Sequence, residues 1–122
     1  MCIPKFNLYN YELNSFTKQL CSDIRYVKHN NMLGNLNSFV LMYKDSSNSG
    51  YILVDNGIQV KEIYVPKGVN ISWANRKIYF RRDGTPNPTG GTIKIFDDNI
   101  SKEITIVPVS GRVLLKEGQY EK

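Results

Sequence analysis

The sequence predicts an α+β fold, a long N-terminal amphipathic helix packed on antiparallel β-sheet, from three observations. Phe6, Tyr9, Leu13, Phe16, Leu20, Ile24 and Val27 recur at spacings of three and four, the pattern of one helix face. At about 100° per residue they fall within a sector of roughly 80°. From Ser38 onward, short β-branched and aromatic runs alternate with Gly-, Asn-, Asp- and Pro-containing turns, as in antiparallel meanders. Within those runs one face is aliphatic and opposes polar residues: Ile78 and Phe80 against Lys77, Tyr79 and Arg81, and Ile93 and Ile95 against Lys94. Such a face suits a helix stripe.

Taken in order, the helix is expected over residues 3–30 within a single domain spanning 1–122. It is closed by the Asn30–Asn35 cluster, with Gly34 or an Asn as left-handed cap. The sheet region is expected over 38–116. Its runs are Ser38–Tyr43, Tyr51–Asp55, Ile58–Val65, Val69–Trp73, Lys77–Arg81, Thr92–Phe96, Glu103–Val107 and Arg112–Lys116. Asn56-Gly57 is the strongest hairpin signal and favours a type I′ turn. Asp83–Gly91 reads as a loop, with two prolines and three glycines. Ile104 and Ile106, then Val113 and Leu115, continue the aliphatic face. Residues 117–122 read as a tail.

With 122 residues, 41% hydrophobic and 22% charged, the chain suits one core and not two. A net charge of +5 permits attraction to acidic polymers without specifying one. No apolar run reaches the roughly 18 residues that cross a bilayer, and no signal-peptide core follows Met1. On a helix, Cys2 and Cys21 would lie roughly 28 Å apart at 1.5 Å per residue, too far for a disulfide.

Size adds a further expectation. A domain of this length has a diameter of roughly 36 Å, and a helix over Lys5–His29 is already roughly 37 Å long. Its first turns should project, and Ile3, Leu8 and Tyr11 lie off the core-facing stripe. These three are the candidate contact with another protein; covering the sheet edge is the alternative.

Chemistry finds little support. His29, the single histidine, sits at the helix end among polar neighbours, and no Ser or Cys has a recognisable base partner. Asp97-Asp98-Asn99 supplies too few oxygens for Ca²⁺, and Thr89–Thr92 lacks the Lys of a phosphate-binding loop. The expectation is a non-enzyme with no catalytic residue, cofactor or metal. Nucleic acid is the other reading: Lys77, Tyr79 and Arg81 share one strand face, and Lys94, Arg112 and Lys116 join them if neighbouring strands pair as a meander. Cations interleaved with an aromatic suit a phosphate backbone. A third reading, an adhesin binding glycan through exposed Tyr and Trp73, rests on composition alone.

The order of elements resembles the type IV pilins and pseudopilins. More specifically, IYFRRDGTPNPTGGTIKIF and KEITIVPVSGRVLL resemble the C-terminal half of GspH/FimT-like minor pseudopilins. The matching pieces are a strand ending in Phe80, a loop holding Gly84, the strand from Gly91-Thr92-Ile93, Ile104–Val107, and Gly111-Arg112-Val113. The helix and GYILVDNG…KEIYVPKGVNISW follow the same layout, so most of the chain is covered.

The resemblance implies a structural subunit of a type IV pilus, a type II secretion pseudopilus or a competence pilus. Its partners would be other pilin or pseudopilin subunits and the membrane. Its place would be a cell-surface filament, or the inner membrane before assembly. Some members take part in DNA uptake through basic residues after a C-terminal Gly-Arg, here Arg112 and Lys116. The family's most characteristic part is an apolar half-helix with a Gly cleavage site before it and a Glu at its fifth mature position. That part is not in this sequence. Ile3-Pro4-Lys5 falls where it would join, so such a segment is expected upstream.

Overall fold

The computed structural model describes residues 5–45 and 48–117, with side chains for 11–45 and 48–116. Helix α1 runs over Lys5–Met32, 28 residues, and at 1.5 Å per residue is roughly 42 Å long. It ends on Gly34, whose φ of 102° is in the left-handed region. The Gly34 amide donates to Asn31 O and the Asn35 amide to Asn30 O, the paired bonds of a Schellman cap. Of the two cap types expected, glycine is the one used.

Nine strands follow: β1 Phe39–Lys44, β2 Ser49–Asp55, β3 Ile58–Tyr64, β4 Asn70–Ser72, β5 Lys77–Phe80, β6 Pro86–Asn87, β7 Gly91–Phe96, β8 Ser101–Ile106 and β9 Val113–Glu117. They form two antiparallel sheets, ordered β3-β2-β1-β5-β6 and β4-β7-β8-β9. The β2–β3 hairpin turns on Asn56 and Gly57, at φ 54° and 77°, as a type I′ turn requires. Two expectations change. The loop at 83–91 contains the short strand β6, and β5 returns to pair with β1 instead of continuing toward β7.

That return splits the sheet in two, and α1 packs against both parts: β5 and β1 on one side, β9, β8 and β7 on the other. Leu13, Leu20, Ile24 and Val27 are fully buried, Phe16 nearly so, and Cys21, Thr17, Asp23 and Asn31 join them. The buried sector is therefore roughly 160° wide, twice the stripe read from apolar spacing, because a helix between two sheets is covered on both flanks. Val40, Met42, Tyr51, Leu53, Ile71, Ile78, Phe80, Ile93, Ile95, Ile104, Ile106 and Val113 complete the core. Leu115, on the last strand of its sheet, stays 36% exposed and forms the rim.

Candidate interaction surfaces

The N-terminal half of α1 carries one candidate surface. Tyr11 is 69% exposed, off the packed sector as its position on the helical wheel requires. Ile3 and the Leu8 side chain lie outside the described residues. Beside Tyr11 a shallow groove of about 330 Å³ runs between helix and sheet edge, lined by Glu12, Phe16, Ile63, Tyr64 and Pro66 among others. Phe16 forms its buried floor, with its ring edge-on to Tyr51 at 5.8 Å.

The basic candidates fall into two groups. Lys77 and Tyr79 share the outer face of β5, and the Lys77 ammonium sits over the rings of Phe39 and Tyr79, at 4.5 and 4.7 Å. Arg81 is turned into its own loop, donating to Pro86 O at 2.6 Å and to Pro88 O at 3.4 Å. Lys94 and Lys116 lie on the other sheet and flank Glu103 in register, so an acid interrupts them. Arg112 is exposed in the turn before β9. Strand pairing does not merge these residues into one field, because β5 hydrogen-bonds to β1 and β6. Trp73 is half-buried and packs on the core, which removes it from the exposed aromatics.

A different basic neighbourhood forms at the C-terminal half of α1. Lys28 donates to Gly111 O at 3.0 Å and Arg25 to Val113 O at 2.8 Å, fastening the helix to the start of β9. Gly84 and Gly111 are in direct backbone contact: a Cβ on Gly111 would lie 1.9 Å from Gly84 O. The Arg82 guanidinium packs on Gly34 at the end of the helix, where the helix dipole favours a cation. Arg82 and Arg112 thus flank one junction. Sequence spacing does not reveal this, since the contact joins two loops that are far apart in the chain.

Polar side chains buried inside the fold were also invisible to an apolar-stripe reading. Asp23, 5% exposed, accepts from the Tyr51 hydroxyl at 2.7 Å and pairs with Lys61 at 2.9 Å. This joins α1 to β2 and to the edge strand β3. Burial, then the Asp23 hydrogen bond and charge, push the Tyr51 hydroxyl far above the usual phenol range. Cys21 is a buried free thiol whose pKa is raised by burial and partly offset by Arg25, so it is not an activated nucleophile. One Asp97 oxygen is occupied by the Asn99 and Ile100 amides. Among the described residues no group of three or more His, Cys, Asp or Glu is placed to hold a metal.

No family model matches the chain, and no curated protein matches it. Solved structures do. The chain is similar to the type IV minor pilin FimU of Pseudomonas aeruginosa in two crystal forms. In one, the TM-score is 0.69 at 15% identity, covering 91% of this chain and 96% of FimU. In the other it is 0.66 at 14% identity, covering 87% and 97%. The fold is that of a type IV minor pilin. At this identity the likeness lies in the path of the backbone, with the side chains largely replaced. One N-terminal helix bearing antiparallel sheets is the frame expected from the sequence. Among the described residues no helix is long and apolar enough to cross a membrane.

Proposed function

We propose that this chain is a structural subunit, a minor pilin or pseudopilin, and that the N-terminal half of α1 meets neighbouring subunits in a filament. The fold shared with FimU over nearly the whole length of both chains carries this reading. The exposed Tyr11 and its apolar groove support the location of the contact; Ile3 and Leu8 extend it on sequence grounds. A charge placed there should block co-assembly without unfolding the domain. In a strain carrying the gene, Tyr11→Glu is expected to abolish co-purification with other pilin subunits while leaving the melting temperature within about 2 °C. Unchanged co-purification rejects the contact. A protein that remains outside every pilus or pseudopilus fraction of that strain rejects the subunit role itself. Pilus, pseudopilus or competence filament is decided by which subunits co-purify.

A second reading, DNA binding, is favoured by one observation: the exposed Arg82 and Arg112 flank the buried contact between Gly84 and Gly111. Phosphate contacts predict affinity that falls linearly in log–log terms with salt, each lost contact lowering the slope by about 0.9. Arg112→Ala should weaken binding and reduce that slope. Lys77→Ala, on the other sheet, tests whether the β5 face contributes. Absence of binding to duplex and single-stranded DNA at low salt rejects this reading.

A further inference from the structure

The outer face of the first sheet, turned away from α1, is unusually apolar. Antiparallel sheets ordinarily present polar residues on the solvent side. Here Phe39, Leu41, Tyr43, Ile52 and Tyr79 are half-buried, while Val60 remains 58% exposed. Phe39, Leu41, Tyr43 and Ile52 lie outside the residues packed on the core. An apolar face of this extent marks a contact surface.

Strand register orders the middle of this face. Glu62 of β3 is opposite Ile52 of β2, Ile52 opposite Leu41 of β1, and Leu41 opposite Lys77 of β5. An acid at one end and a cation at the other, roughly 14 Å apart across three strand spacings, therefore enclose two aliphatics. Both charges are held in place. The Tyr43 hydroxyl donates to Glu62 at 2.6 Å, its ring crossing the bare backbone of Gly50. Lys77 is held over Phe39 and Tyr79, and no acid is opposite it in the register.

We propose that this face docks onto the same face of a second copy of the chain. A two-fold axis along the strands, between β1 and β2, places Glu62 over Lys77 of the partner copy and Lys77 over its Glu62, with Ile52 over Leu41. The row is thus its own complement, as an isologous interface requires. Aligned sheet packing, at about 30° between strand directions, preserves this match. The balance of one acid and one cation argues against nucleic acid as the occupant, since Glu62 would repel phosphate. The surface measures roughly 20 by 20 Å from strand spacing and rise, about half the area per partner of a standard stable interface, so association is weak. This proposal is independent of the filament reading.

Sedimentation equilibrium of the 122-residue chain, from about 10 µM to about 1 mM, spans the affinity range expected of a weak interface. A monomer–dimer equilibrium is expected. Lys77→Glu or Glu62→Lys alone places like charges in contact twice per dimer and should weaken it by at least about tenfold. The double variant restores it, and an equimolar mixture of the two single variants forms a heterodimer. Thermal melts of each variant separate lost association from lost folding; for any variant that melts early, Leu41→Asp is the substitute. A monomer at every concentration overturns the proposal. So does a dimer indifferent to single reversal, or binding of the face to DNA or lipid vesicles with no self-association.

Discussion

Asn31 and Phe80 are joined by a 2.7 Å hydrogen bond in which the strand amide donates to the helix side chain. The Asn31 amide also donates to Asn35 O at 2.8 Å and to Ser38 O at 3.0 Å. A single fully buried side chain thereby satisfies backbone groups of the helix exit, the approach to β1, and β5. Asn31→Ala would leave the Phe80 amide and Ser38 carbonyl buried without these partners. We expect a loss of about 3 kcal/mol, read by urea denaturation. A loss under about 1 kcal/mol would show that water replaces the side chain.

Tyr51 makes stability depend on pH at the alkaline end. In the folded chain its hydroxyl stays protonated above the normal phenol range, because of burial and then Asp23. In the unfolded chain it ionises near pH 10. A raised folded pKa contributes stability fully below the unfolded value and loses it as pH rises further. Tyr43, raised by burial and then by its bond to Glu62, acts in the same direction. Denaturation midpoints should be flat up to about pH 9 and fall by about pH 11. Tyr51→Phe should flatten that fall and lower stability at neutral pH by about 1 kcal/mol.

Gly111, at φ 72° and against Gly84 O, cannot hold a side chain without moving the turn. Gly111→Ala should cost about 2 kcal/mol in thermal unfolding. Because Arg112 follows directly, any DNA affinity resting on this junction should fall with it. Gly57→Ala is the contrast: nothing crowds that position, so only the positive-φ cost of about 1 kcal/mol is expected.

Leu20 and Leu115 separate core from rim. Leu20 is fully buried on α1, whereas Leu115 is 36% exposed on the last strand. Leu20→Ala is expected to cost about 3 kcal/mol and Leu115→Ala under about 1 kcal/mol, measured as paired denaturation curves. Equal costs would mean that the helix does not close the two sheets.

Most of the elements were legible before the fold was known, because their causes are local. The three-and-four spacing from Leu13 to Val27 requires a helix, Asn56-Gly57 a tight hairpin, and the alternation at Ile78/Phe80 and Ile93/Ile95 a buried face. Asp23 and Asn31 were not legible as core residues. A buried polar side chain is identified by its partners, and Tyr51, Phe80 and Ser38 are distant in sequence or on another element.

The helix, the strands, the turns and the faces they bury are therefore each set by the chemistry of adjacent residues. Tertiary structure alone decided which strands became neighbours. By returning β5 to β1, it parted Lys77 from Lys94 and Lys116, brought Gly84 against Gly111 between Arg82 and Arg112, and aligned Glu62, Ile52, Leu41 and Lys77 in one row. Strand pairing is a long-range choice, settled by how two sheets can close around one helix, and no local pattern encodes it.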